Sequence, residues 1–267
     1  MTVLDDILAR KRDEVTMLRR PQTRDLLRRT ALDAPAPRDF SGALRRADGH
    51  VAVIGELKRR SPSKGPLAPD LDPATTAKAY ESGGAGALSV LTDLPFFGGM
   101  VEDLVSAREA TALPVLRKDF TIDEVQIFEA RAIGADAILL IVAALADDAL
   151  LADLREAAVE LGLSVLVEAH DAAEIERALA AGATIVGVNN RNLATFAEDL
   201  GVGEELAGLI PPEVIGVAES AVRSPADSVR LGAVGFDAVL VGEALVRSDD
   251  PAGLVRDLGA APVNRRS

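Results

Sequence analysis

Eight short apolar runs recur along this chain at spacings of about 20 to 35 residues, and they constrain its fold more than any other feature. They read VAVIGEL (51–57), GALSVLT (86–92), PVLRKD (114–119), DAILLIV (136–142), SVLVEA (164–169), TIVGVN (184–189), VIGVAES (214–220) and AVLVGE (238–243). Val, Ile and Leu dominate, with little polar alternation, as in parallel strands covered on both faces. Periodicity alone also allows buried helix segments; the length and β-branching of the runs favour strands.

Between the runs lie helix-like stretches such as DPATTAKAYESGG, DEVQIFEARAIGA and ADDALLADLREAAVELG. Several open on Asp or Ser, which cap helix N-termini. Many close on glycine just before the next run: Gly83–Gly84, Gly134, Gly162, Gly182 and Gly235. Glycine accepts the left-handed backbone that ends helices. The repeat is thus a βα module, and eight modules predict an α/β fold, a closed (β/α)8 TIM barrel. The alternative is an open doubly wound sheet. It would usually carry GxGxxG after its first strand, and no such motif is present.

Residues 4–20 and 23–32 alternate apolar and charged residues at helical spacing. They read as an N-terminal helical extension, packed across the barrel bottom or beside the last module, or else as a solvated arm. The expected division is one domain: extension 1–47, barrel 48–258 and a fraying tail 259–267. The 267 residues, 48% of them hydrophobic, suffice for one barrel of this kind.

Composition removes several function classes. There is no cysteine, and the only histidines are His50 and His170, so no disulfide and no structural metal site is expected. The net charge of −13 disfavours nucleic acid and anionic membranes as partners. The N-terminus carries charges where a signal peptide needs an apolar core, and no run is long enough to span a bilayer. A cytoplasmic protein is expected. Nothing in the sequence sets the oligomeric state; a monomer is the working expectation.

In a barrel of this type the C-terminal strand ends form the active-site mouth. Here they carry Glu56 and Lys58, Lys118, Glu168, Asn189 to Arg191, Glu219 and Ser220, and Gly242 and Glu243. No Ser/His/Asp constellation is available, and His170 reads as a loop histidine rather than a base. Lysines and glutamates remain, suited to proton transfer and carbonyl polarisation. A Schiff base would require a neutral lysine, whereas neighbouring glutamates hold lysines protonated. For an anionic substrate, Lys58, Lys118 and Arg191 are the cations at hand. Ser220 and backbone amides near Ala221, Gly242 and Glu243 can form a phosphate nest.

In order along the chain, GELKRRSPSKG, LSVLTDLPFFGG, PVLRKDF, DAILLIV, LVEAH, GVNNRNL, VAES and VLVGEAL closely resemble the indole-3-glycerol-phosphate synthases, barrel enzymes of tryptophan synthesis. The resemblance runs from about residue 1 to 258. It implies a phosphorylated small-molecule substrate, 1-(2-carboxyphenylamino)-1-deoxyribulose 5-phosphate, and ring closure with loss of carbon dioxide and water, without metal or organic cofactor. By resemblance, Lys118 is the general acid and Glu168 its acid–base partner. Glu56 and Asn189 orient substrate and lysines, and Lys58 lies by the anionic groups with a second proton-transfer role. Arg191 and Ser61 match the carboxylate end. Glu219 lies with the substrate-binding residues, and Ser220, Ala221, Gly242 and Glu243 match the phosphate loop. Phe97, Phe120 and Leu139 match the apolar wall, although ordinary barrel core would also explain them.

The sequence departs from the family pattern at Ala221, where glycine is usual, and at Met100, where a small polar residue is common. If φ is positive at Ala221, alanine is strained there and phosphate binding suffers. Two other readings stay open. One is a phosphosugar isomerase on a related barrel, such as phosphoribosylanthranilate isomerase. The other is a catalytically silent barrel acting as a binding protein.

Overall fold

The computed structural model describes residues 2–192 and 195–266. Leu193, the end of the VNNRNL motif, lies outside the described residues. The eight apolar runs form β1 (Ala52–Leu57), β2 (Ala87–Leu91), β3 (Val115–Lys118), β4 (Ala137–Ile141), β5 (Ser164–Ala169), β6 (Ile185–Asn189), β7 (Ile215–Glu219) and β8 (Ala238–Val241). Each run becomes a strand within two residues of its expected bounds. All pairings among these eight strands are parallel, and β1 pairs with β8, Ala52 opposite Ala238, so the sheet is a closed barrel rather than an open one.

Strand side chains alternate between two cores, because successive residues point to opposite faces. Ala52, Ile54, Leu116, Leu139, Leu166 and Val217 fill the barrel interior. Val53, Val115, Ile138, Val167, Val186 and Val239 pack against the surrounding helices. The inward row, continued two residues further, arrives at Glu56, Lys118, Glu168 and Glu219. The register sets these ends level: Leu91 faces Lys118, Ile141 faces Glu168, and Asn189 faces Glu219.

The expected caps form. Asp72, Asp123, Asp147 and Asp171 accept hydrogen bonds from the first-turn amides of the helices they precede. Gly84, Gly134, Gly162, Gly182 and Gly235 all have positive φ where those modules turn back to a strand. The sixth module has only a short helix, Leu200–Leu206, whose two glycines leave little helical signal in the sequence.

The extension is packed against the barrel and not solvated. α1 (Val3–Leu18) lies at the mouth, and α2 (Pro21–Asp33) packs on the helix Glu124–Ala132 of the third module. α3 (Phe40–Leu44) inserts the fully buried Phe40 and Leu44 into the bottom of the interior core. α3, which lies beyond the two stretches read as helices, is the one at the bottom. α1 is at the opposite end, over the mouth.

The tail does not fray over its described residues. Val263 N donates to Gly49 O (2.8 Å), Pro262 bridges His50, and Arg266 pairs with Asp237 (2.9 Å). A basic residue reaching a buried-edge aspartate was not visible in a polar, Pro-containing terminus.

Candidate active site

A cavity of about 480 Å³ opens at the C-terminal strand ends. Each site residue named from the sequence lines it: Glu56, Lys58, Ser61, Phe97, Lys118, Phe120, Leu139, Glu168, Asn189, Arg191, Glu219, Ser220, Ala221, Gly242 and Glu243. At its centre Lys118 Nζ lies 2.7 Å from Glu168 Oε2 and 3.0 Å from Glu219 Oε2. Asn189 Nδ2 donates to the other oxygen of Glu168 (2.9 Å). Beside them Lys58 Nζ donates to Glu56 Oε1 (2.5 Å).

Burial opposes the charge on Lys118, but Glu168, Glu219 and Glu56 outweigh it and hold the ammonium far above its usual range. Lys118 is thus held as an ammonium and not as a neutral amine ready to form a Schiff base. Its two carboxylates diverge. Burial raises Glu168, yet the charges of Lys118 and then His170 bring it well below the usual carboxylate range. Burial raises Glu219 too, Lys118 only partly offsets this, and repulsion from Glu168 and Glu56 adds to it, pushing Glu219 up to about 7. Two carboxylates sharing one cation but driven apart in this way are fitted to separate acid and base roles.

Two glycines, Gly187 within β6 and Gly242 just after β8, make this crowding feasible. A methyl group on Gly187 would overlap Glu219 Oε1, and one on Gly242 would lie 2.5 Å from Glu56 Oε1 and 3.1 Å from Lys58 Nζ.

The surrounding wall has three characters. Phe97 and Phe120, with ring centroids 6.2 Å apart, and Leu139 form an apolar side. Opposite charges and hydroxyls form a second: Arg191 Nη1 donates to Ser63 Oγ (2.6 Å), and Ser61 Oγ accepts from Lys64 N (3.3 Å). At the third, Ser220 and Ala221 both have φ of 62°. The side chain of Glu243 turns to Lys64 (3.0 Å), so Glu243 can serve a ligand there only through its backbone.

Ala221 therefore stands in the left-handed region, as its position in the pattern suggested. The strain is present before any ligand arrives, so it weighs on folding more than on binding. The left-handed backbone costs alanine roughly 1–2 kcal/mol, and glycine's chain entropy takes back about 0.5–1 kcal/mol. Ala221→Gly is expected to raise the melting temperature, by about 0.5–1 kcal/mol of stability, with little change in phosphate affinity. Thermal unfolding and phosphate titration of both forms check this; an unchanged or lowered melting temperature would show that the loop accommodates alanine.

Several important side chains were not found from sequence. Val3, Leu4 and Ile7 of α1 line the cavity. Lys11, 2% exposed, joins α1 to Asp93 (3.1 Å) and Asp119 (2.8 Å) in the loops after β2 and β3. Glu198 pairs with both Arg191 and Arg223 and so ties the loop after β6 to the loop after β7. His170 is a member of the charge network through Glu168, 3.3 Å away, and not a bystander in its loop. The amphipathic pattern of α1 was the one available signal, and it did not say where the helix packs. Asn190, among the strand-end residues, faces away: it is buried and holds Glu219 O (3.0 Å) and Gly203 N (2.8 Å). Among the described residues, no group of three or more His, Cys, Asp or Glu side chains is placed to hold a metal ion.

The chain matches the family model described as indole-3-glycerol phosphate synthase over residues 4–258. It is 51% identical to the indole-3-glycerol phosphate synthase of Kineococcus radiotolerans, covering 98% of this chain and 96% of that one. With the protein of that name from Micrococcus luteus it shares 50% identity over the whole of both chains. Among solved structures, 3-hexulose-6-phosphate synthase from Salmonella typhimurium aligns with a TM-score of 0.64 at 17% identity, over 79% of this chain and 97% of that one. Thiamine phosphate pyrophosphorylase from Pyrococcus furiosus aligns with a TM-score of 0.58 at 16% identity, over 78% and 93%. These two likenesses concern the fold alone.

Proposed function

The chain belongs to the indole-3-glycerol phosphate synthase family, carboxy-lyases of tryptophan biosynthesis, and from that premise we propose how its own residues carry the reaction. The substrate is 1-(2-carboxyphenylamino)-1-deoxyribulose 5-phosphate. Its anthranilate ring lies against Phe97, Phe120 and Leu139, its carboxylate toward Arg191 and Ser61, and its phosphate against the backbone at Ser220, Ala221, Gly242 and Glu243. This orientation sets the ketone carbon beside Lys118.

As the ring carbon bearing the carboxylate attacks the ketone, Lys118 donates a proton to the developing alkoxide. The carboxylate leaves as carbon dioxide and its electron pair returns to the ring. The new hydroxyl then departs as water, and Glu168, ionised at rest, removes the proton whose loss completes the indole. Asn189 holds the far oxygen of Glu168 and keeps the near one on Lys118. Glu56 orients Lys58, which lies by the anionic groups and can relay a second proton.

The observation that carries this reading is one buried ammonium between two carboxylates whose proton affinities diverge, walled by an apolar face and a cationic one. The test is indole fluorescence from the carboxyphenylamino substrate with a chelator present. Turnover is expected, and absence of product overturns the reading. We also read residues 1–267 as one domain and the enzyme as a cytoplasmic monomer. Among the described residues, no helix is long and apolar enough to cross a membrane.

The pH dependence follows from Glu219. Its ionisation, centred at about 7, places a further negative charge beside an anionic substrate and tightens the hold on the proton of Lys118. Both effects slow the reaction, so kcat/KM is expected to fall as pH rises through about 7. Glu219→Gln should flatten that limb relative to wild type in parallel initial-rate profiles, since the titration of the substrate phosphate is common to both. Superimposable limbs would remove Glu219 from this role.

A further inference from the structure

His170 stands behind Glu168, at the start of the loop after β5. Its Nδ1 lies 3.0 Å from Glu174 Oε2 and its Nε2 3.3 Å from Glu168 Oε1, with 14% of the side chain exposed. Its backbone N–H also donates to Glu174 Oε2 (2.8 Å). An ionised carboxylate offers only acceptors. A carboxylate oxygen faces each ring nitrogen, and the two negative charges favour the ring as the imidazolium, with both protons on. The approach at Nε2 is charge to charge, without the alignment of a hydrogen bond. Five groups thus alternate in sign across the site: Glu174, His170, Glu168, Lys118 and Glu219.

We propose that His170 is a positioning residue, an imidazolium kept charged by Glu174, which holds Glu168 ionised and leaves its inner oxygen to Lys118. The proposal rests on the reading of Glu168 as the acid–base partner. Glu168 Oε1 is engaged on its outer side by His170 and by Asn189 Nδ2, so Oε2 is the oxygen that meets Lys118. The titratable groups facing the ring are Glu168 from its own strand end and Glu174 from the helix Ala172–Ala180; Lys118 and Glu219 face it only across Glu168. Burial works against the imidazolium charge, but the two carboxylates raise its pKa to about 10. The ring therefore stays charged over the whole neutral range, and Glu174 is what separates it from an ordinary histidine.

The chain has only two histidines, and His50 lies at the barrel bottom, away from the site. His50→Gln leaves a single imidazole whose ring-proton resonances can be followed by NMR. In that background the His170 resonances should stay constant between about pH 6 and 9, on either side of the ordinary histidine value. Adding Glu174→Gln should make them titrate within that window.

Rates give the functional arm. His170→Gln should lower kcat about tenfold at every pH, since a misaligned base loses rate rather than binding, with KM nearly unchanged. Glu174→Gln should match wild type at the acid end and fall toward the His170→Gln level as pH rises. A His170 that titrates like a free imidazole in the otherwise native protein overturns the proposal. So does a Glu174→Gln profile that runs parallel to wild type at all pH values. If the native enzyme forms no indole, the reading of the reaction fails, while the resonance titration still decides the charge of His170.

Discussion

Lys118→Met is expected to lower kcat by roughly 10²–10⁴-fold, or about 3–5 kcal/mol of barrier, with a much smaller change in KM. Methionine keeps most of the length of lysine but has no proton to give the ketone oxygen. The groups assigned to binding the carboxylate and phosphate, Arg191 and the loops after β7 and β8, are separate from it. The fold should survive, because the two carboxylates left behind need not stay charged. Glu219 is already raised to about 7 by burial, Lys118 offsetting part of the rise while Glu168 and Glu56 add to it, so without Lys118 it takes up a proton near neutral pH. Glu168, low only because Lys118 and His170 outweigh its burial, also moves up. The variant thus loses its acid and shifts the proton affinity of its base at once. Steady-state kinetics with a melting curve near pH 6 separate catalysis from folding. A kcat near wild type would refute the assignment of Lys118.

Lys11→Met is expected to produce the largest loss of stability, about 3–5 kcal/mol at neutral pH, the scale for removing one partner from a buried ion cluster. Lys11 Nζ contacts Glu14 (2.8 Å), Asp93 (3.1 Å) and Asp119 (2.8 Å), and its side chain is 2% exposed. Burial opposes its charge, but Asp119, Glu14 and Asp93 outweigh it and raise its pKa beyond the ordinary lysine value. A raised lysine pKa stabilises the fold fully below the unfolded value and is lost only as pH climbs through the folded one, so the contribution is complete at neutrality.

Asp119 has the opposite sign. Burial would raise its pKa, but Arg117 and Lys11 hold it low, so its contribution is present above the unfolded value and is lost as pH falls through the folded one. Without Lys11 that depression shrinks, and the deficit of the variant should narrow toward acid pH. Urea unfolding of both forms at neutral and mildly acid pH measures this; a deficit under about 1 kcal/mol at neutrality would show that the cluster does not anchor the helix. The same change should raise KM. Asp93 accepts from Phe96 N at the start of the turn carrying Phe97, and Asp119 accepts from Phe120 N, so Lys11 steadies both rings of the apolar wall.

The stretch PVLRKDF shows where legibility stopped. Its apolar start and charged end were visible, but not which charge enters the barrel. Lys118 does, two residues beyond the inward Leu116. Arg117 points into the helix layer, where it meets Glu129 (2.6 Å), while Asp119 stays at the mouth and meets Lys11 of α1. The strand-end pattern named Lys118, the family likeness gave it a role, and the strand register explains why its side chain points inward.

The sequence by itself determined the eight strands, most of the helix stops and the polar strand ends, because each is written in a local period or in a residue's own backbone preference. PVLRKD, SVLVEA and VIGVAES carry the length and β-branching of strands and form them, and Gly134 ends a helix through its own freedom at positive φ. Only the tertiary structure decided that α1 sits over the mouth, that Asn190 turns away, that Arg266 ties down the tail, and that Glu168 and Glu219 on one lysine differ in proton affinity. Those outcomes depend on distances between residues far apart in the chain, which barrel closure sets, and on burial, which makes an ångström between charges count for far more than it does in water.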